Sequence, residues 1–289
     1  MANTVVYTGD YETTLQRRLA HPTTWKEVAD VLYTDSRTVT TGYMSTVPAV
    51  QTVTRGTVFN PQDFALTAET LTISTGRDIP IFVDFADLAQ TGYNTQMEIA
   101  ETQADLLNEF VETSLLATHA SWTDVGDSSG VVTSGVTTAI TVSAANIDDI
   151  IRGIKRIIRV ANGQSKMRQN GAFIVWRPAD FELLEAYVQA NGYNMADIAL
   201  KDGTVEGFKY MGVEHYWSND TASGHLFAGV KKLHKLGILR SLYGKMMTQD
   251  FPAGSSGGIL SGSLFYSRVD VGHLAPTTLK TLLLDINVA

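Results

Sequence analysis

The chain contains no cysteine. That one absence removes disulfide scaffolds, thiolate zinc sites and cysteine nucleophiles together. Charge is sparse too: 18% of the 289 residues are charged, and their formal sum is −8. An acidic chain disfavours a general nucleic-acid-binding surface. No apolar run approaches the roughly 18 residues of a membrane span. The opening MANTVVYTGDYETTLQRRL has no basic stretch followed by an apolar one, so no secretory signal is expected. No two glycines stand as G-x-G, and Gly244-Lys245-Met246 lacks the spacing of a phosphate loop. The histidines, His21, His119, His215, His225, His234 and His273, form no H-x-x-x-H or H-E-x-x-H pair. Each reads as a surface or satisfied histidine. The sequence therefore assigns no catalytic, cofactor-binding or metal-binding residue.

What is present is an ordered globular composition, 44% hydrophobic, with glycine and proline dispersed rather than clustered. The length suits two subdomains. The chain is organised around Leu71–Thr118. A threonine-rich arm leads to the apolar strand Ile79-Pro80-Ile81-Phe82-Val83, an acidic corner at Asp84 and Asp87, and a long helix. Thr95 with Glu98 is a capping box, and Asn94 is a competing cap. Ala100, Ala104, Leu107, Val111, Leu115 and Thr118 then recur at helical spacing, with Leu106 and Phe110 widening the stripe. A helix of about 25 residues is expected, spanning ~37 Å.

Before it, Trp25–Leu32 reads as a short amphipathic helix, and residues 38–77 as extended structure. Two arms, Thr46–Phe59 and Phe64–Thr75, flank the turn-forming Asn60-Pro61-Gln62-Asp63. Pro48, Thr52, Thr54 and Thr57 leave the arms little apolar surface. A two-stranded ribbon that cannot bury a face is marginal alone, so this one needs another surface to lie on.

After the long helix, Ser121–Thr138 reads as a loop or hairpin and Thr138–Ser143 as a short strand. Asn146 caps a helix whose stripe is Ile147, Ile150, Ile151, Ile154, Ile157, Ile158 and Ala161, stopped at Gly163. Ala172–Trp176 is a buried strand, and Pro178 opens a helix burying Phe181, Leu184 and Val188. Lys201–Trp217 reads as a hairpin. His225–Val230, Leu236–Leu239, Ile259–Val271 and Leu279–Val288 read as strands. Two local patterns invite chemistry. Gly126-Asp127-Ser128-Ser129-Gly130 matches G-x-S-x-G, but the strand-and-helix context of a nucleophile elbow is missing, so Ser128 reads as a surface turn. Lys231-Lys232-Leu233-His234-Lys235 is the densest basic cluster and reads as a solvated turn.

The order of these elements resembles the major capsid protein of tailed bacteriophages, with the Hong Kong 97-type fold that encapsulin shells share. The resemblance rests on LTI…DIPIFVDFADLAQ followed by the acidic-faced helix, on AFIVWRPADFELLEAYVQA, and on GTVEGFKYMGVEHYWSND…HLFAGVKKLHKLGIL. It implies an α+β fold with an N-terminal arm (1–37), an extended β-hairpin loop (38–87) and a peripheral domain with a spine helix (88–144). An axial domain (145–245) and C-terminal β-arms returning to the peripheral domain (246–289) follow. It also implies a non-enzymatic shell subunit found in the virion and assembled in the bacterial host cytoplasm. Such a subunit would form hexamers and pentamers with itself and enclose double-stranded DNA without sequence-specific contact. Scaffolding, portal and decoration proteins are the further partners of the resemblance, and a membrane is not. An encapsulin-like nanocompartment and, remotely, a hydrolase using Ser128 are the competing readings. Some relatives cross-link through a lysine of the extended loop. Residues 38–87 hold no lysine, so that mesh is not expected here.

Overall fold

The computed structural model describes residues 24–44, 52, 55–56, 65–84, 95–190, 208–239, 244–253 and 258–289. It is a mixed α+β fold. The expected arm Thr46–Phe59, its turn at 60–63, the corner at Asp87, the Asn94 cap and the expected stop at Gly192 fall wholly or mostly outside these residues.

Two sheets carry the structure. The first is built on β13 (Gly258–Leu274), 17 residues long, or roughly 56 Å at 3.3 Å per residue. Along one edge it pairs antiparallel with β12 (Gly244–Ala253) and then, further along, with β11 (Lys235–Leu239). β11 in turn carries β1 (Asp30–Thr34) in parallel. Along the other edge β13 pairs with β4 (Thr75–Asp84), from Gly262↔Asp84 to Val271↔Thr75. β4 ends the sheet on that side, where Pro80, which has no N–H to donate, is tolerated.

The long helix, α2 (Thr95–Leu116), begins at the residue the capping box indicates and runs 22 residues, close to the length expected. Ala100, Ala104, Leu107, Val111 and Leu115 are all buried. Ala100 packs with Phe265 of β13, flanked by Ile81 and Val83 of β4. Leu107, Val111 and Leu115 close over Leu236, Ile238, Val269 and Val271. Gln103, fully buried in the same stripe, donates to the carbonyls of Ile79 (2.8 Å) and Phe265 (3.2 Å). Leu106 is a correction: it is 46% exposed, because the packed stripe is narrower than the hydrophobic one. Phe110 is partly buried against the core, with Arg77 over its ring.

The second sheet has seven strands in the order β6–β5–β14–β10–β7–β9–β8. They are β5 (Thr123–Ser128), β6 (Val131–Ser134), β7 (Ala172–Trp176), β8 (Phe208–Tyr210), β9 (Val213–Trp217), β10 (His225–Val230) and β14 (Leu283–Asn287). Two hairpins close on two-residue turns with positive φ at both positions, Ser129-Gly130 and Met211-Gly212. This is the turn whose twist matches paired strands. The isoleucine stripe of α3 (Ile147–Val160) is buried against this sheet with Phe173, Trp176 and Phe227. α5 (Pro178–Ala190) adds Phe181, Leu184 and Val188, as expected.

The strand expected over Leu279–Val288 shortens to β14, because Lys280–Leu282 before it forms a 3₁₀ helix, and four further local expectations change. The first helix, α1 (Thr24–Val28), is a single turn or so. Asp30, Val31 and Leu32 instead extend β1, because β11 offers a parallel edge. Thr138–Ser143 forms no strand beyond one bridge, Ile140 to Val288. Asn146 precedes α3 but caps nothing: its Oδ1 accepts from the Ser143 N–H and hydroxyl. A further helix, α4 (Gln164–Asn170), follows Gly163 where only a stop was expected.

Burial of each Leu, Val or Ile of the α2 stripe is worth about 1.5–3 kcal/mol. Leu107→Ala should therefore destabilise the subunit by about 2–5 kcal/mol in denaturant unfolding. Leu106→Ala should change it by less than about 0.5 kcal/mol. Equal losses at the two positions would contradict this packing.

Candidate functional site

The feature that stands apart from both sheets is a two-stranded ribbon, β2 (Thr38–Met44) with β3 (Leu66–Thr72), paired from Thr38↔Thr72 to Met44↔Leu66. The second expected arm coincides with β3. Most side chains of the ribbon are exposed, and Leu66 is 69% exposed. Only its root is held: Leu71 and Ile73 are buried. The root lies over a cross-strand glycine pair, Gly237↔Gly272. A Cβ on Gly272 would stand 2.2 Å from the Thr72 carbonyl oxygen, and one on Gly237 2.8 Å from Leu71 Cδ2. Two missing side chains thus make the flat place where the ribbon is anchored. A backbone amide, Ile73 N–H to Arg37 carbonyl at 2.8 Å, closes the root. Thr277 N–H to Glu69 Oε1, also 2.8 Å, props one side.

The basic cluster between β10 and β11 is a correction. Lys231, Leu233 and His234 are buried, and only Lys232 is exposed. Lys231 donates to Glu214 and, at 2.6 Å, to the Tyr216 hydroxyl, with Glu27 of α1 at 3.7 Å. Burial alone would raise the Glu214 carboxyl, but hydrogen bonds from Lys231 and Tyr216 overcome it and lower the pKa. Lys232, at φ 59°, donates its backbone N–H to Val28 and its ammonium to the carbonyls of Lys26 and Ala29. The cluster caps the C-terminal end of α1 and clasps it to the sheet. Loop composition suggested solvation, and only the fold shows these charges turned inward.

His215 and His234 are buried, and His273 is partly buried beside His234. His215 accepts from Trp176 Nε1 at 2.9 Å and faces the Tyr210 carbonyl at 3.3 Å through Nε2. That pair of contacts fixes its tautomer. His273 lies 2.7 Å from the Ser114 hydroxyl of α2 and 3.4 Å from His234. Burial pushes His215 and His273 down to about 4 and His234 to about 3.

Ser128 ends β5 at the tip of an exposed hairpin, and Val131–Ser134 after it is a strand. The G-x-S-x-G letters therefore do not form the strand-turn-helix of a nucleophile elbow. His119, His225 and Asp285, far apart in sequence, do meet, through hydrogen bonds of 3.0 and 2.8 Å from each Nδ1 to the Asp285 carboxylate. No local spacing could have signalled that cluster.

Known structures share this architecture. The chain overlays the subunit in the bacteriophage PhiM1 mature capsid with a TM-score of 0.60 at 14% identity, covering 93% of this chain and 88% of that one. The capsid of cyanophage P-SCSP1u matches at 0.56 and 14% over the same shares. A virus-like particle from Pyrococcus furiosus matches at 0.60 and 9%, over 98% and 100%. The fold is that of a phage capsid subunit. No protein-family model matches the chain, and no curated protein resembles it in sequence.

Two outcomes test these features. Each of these three histidines has a folded pKa below its ordinary 6.5, so protons favour the unfolded chain as pH falls below that value. The melting temperature should be highest above about pH 6.5 and fall steadily toward pH 4. A flat profile across that window would contradict the burial. Separately, Gly272→Ala should loosen the ribbon root, read as faster limited proteolysis between residues 38 and 72, with β13 core stability reduced by about 1–3 kcal/mol.

Proposed function

We propose that the chain is the structural subunit of an icosahedral viral shell, a major capsid protein. It assembles with copies of itself into hexamers and pentamers and encloses double-stranded DNA. The observation that carries this reading is the β2–β3 ribbon. Threonine-rich, exposed along its length and rooted at one end, it has a row of backbone and side-chain groups in need of a covering surface. In a closed shell the neighbouring copy supplies that surface. Each subunit then rests on several modest contacts at once, which together outweigh any single one. The acidic balance of the chain suits a container that does not adhere to phosphate. On this reading, the five-stranded sheet with α2 is the peripheral part and the seven-stranded sheet with α3–α5 the axial part, which moves β5, β6 and β14 to the axial side, and β11 to the peripheral side, of the boundaries 88–144, 145–245 and 246–289 that the resemblance implies. The ribbon is the extended loop. On this reading scaffolding, portal and decoration proteins are separate partner chains, and the subunit performs no catalysis.

The end-to-end likeness to the Pyrococcus furiosus virus-like particle supports a second reading, a nanocompartment of the encapsulin kind. The two differ in contents, so nucleic acid recovered from purified particles decides between them.

Electron microscopy of the purified chain should show closed shells or hexamers and pentamers; a uniform monomer at high concentration would end the proposal. Replacing residues 42–68 by Asn-Gly joins Thr41 to Glu69 and keeps the buried root. That variant should melt within about 2 °C of the parent, since the ribbon buries little, yet form no particles. Normal particles from it would refute the role given to the ribbon.

A further inference from the structure

Among the described residues, one group sets three potential metal ligands together: His119, His225 and Asp285. They come from three separated stretches. His119 lies in the 3₁₀ turn Ala117–Ser121 that ends α2, His225 opens β10, and Asp285 is central in β14. One ligand atom from each lies within 4.8 Å of the other two. His119 Nδ1 is 3.0 Å from Asp285 Oδ2, and His225 Nδ1 is 2.8 Å from Oδ1. The imidazole centroids are 4.3 Å apart, tilted by 40°.

The burial is graded in a way that suits an ion. The Asp285 side chain is 2% exposed, while the two imidazoles are 25% and 24% exposed. A desolvated carboxylate is costly without a fixed positive charge. Among the described residues no Lys or Arg forms an ion pair with Asp285; its ion-pair partners are the two histidines. Ligand atoms held tetrahedrally by one zinc at about 2.0–2.2 Å stand roughly 3.3–3.6 Å apart; the two nitrogen–oxygen contacts present are one to each carboxylate oxygen, and three ligand atoms within 4.8 Å of one another need to close by about an ångström at most. Two imidazoles and one carboxylate select a borderline transition metal over magnesium or calcium. The partly exposed rings leave the outer coordination position to water.

We propose that His119, His225 and Asp285 bind one divalent transition-metal ion of the zinc class, through both Nδ1 atoms and a carboxylate oxygen. The ion replaces the two N–H···O bonds: each ring's proton moves from Nδ1 to Nε2, and the freed Nδ1 lone pair goes to the metal. It ties the end of the long helix to the seven-stranded sheet, bridging pairs 166 and 60 residues apart in sequence. The site is a structural clip within one subunit. It does not depend on the shell-forming reading, since all its ligands belong to the same chain.

Zinc chloride titrated into metal-stripped protein by calorimetry should give one site per chain. The melting temperature should rise by about 5 °C at zinc concentrations ~100-fold above the dissociation constant. His119→Gln with His225→Gln should abolish both effects, and His21→Gln should abolish neither. Magnesium and calcium should produce no rise. The unaltered protein supplies a second readout that does not depend on the folding of the double variant. Zinc should protect His119 and His225, but not His21, from diethyl pyrocarbonate, as read by peptide mass. Undiminished zinc binding in the double variant, or no protection at His119 and His225, overturns the proposal.

Discussion

The structure depends on α2 lying along β13. β13 is paired on both edges, by β4 on one side and by β12 and then β11 on the other. Its exposed face would be a long apolar strip if no helix covered it. The stripe Ala100–Leu115 supplies that cover, and Gln103 fixes the register by donating to one carbonyl of β4 and one of β13. An amide buried without those two acceptors would be costly, so the helix cannot slide along the sheet by a turn. Everything at the margins hangs from this unit. The ribbon root sits on the Gly237–Gly272 pair, and α1 packs Trp25 onto the same core as Leu107.

The second sheet is joined to this unit by polar contacts as much as by packing. Ser114 of α2 meets His273 of β13, and His273 reaches His234 in the turn after β10, whose ring lies beside Trp122 of the second core. Lys231 and Lys232 hold α1 from the turn that passes from one sheet to the other. Buried neutral histidines and a buried lysine are expensive groups to place. Here they stand where two hydrophobic cores meet and where shape alone would allow several dockings. Polar groups that must find particular partners restrict such freedom, a role with precedent in other proteins.

Much of this was legible beforehand where one periodicity and one local signal agreed. The isoleucine stripe of α3 is buried residue for residue, and Ala172–Trp176, Pro178 and the strands His225–Val230 and Ile259–Val271 fall where composition placed them. Misreadings came where a partner decides the state. Asp30–Leu32 has a helical pattern, but a parallel neighbour made it a strand. Leu106 has the right spacing, but no surface faces it. The basic cluster looks like any solvated turn until α1 is laid against it.

The sequence by itself determined the three longest helices and most strands, because hydrophobic periodicity and turn chemistry are properties of neighbouring residues. Only the tertiary structure decided which strands share a sheet, that β13 serves both edges, that Lys231 is buried, and that His119, His225 and Asp285 converge. Those are contacts between residues dozens of positions apart. Their energy comes from removing both partners from water at once, and no local pattern records which partners those are.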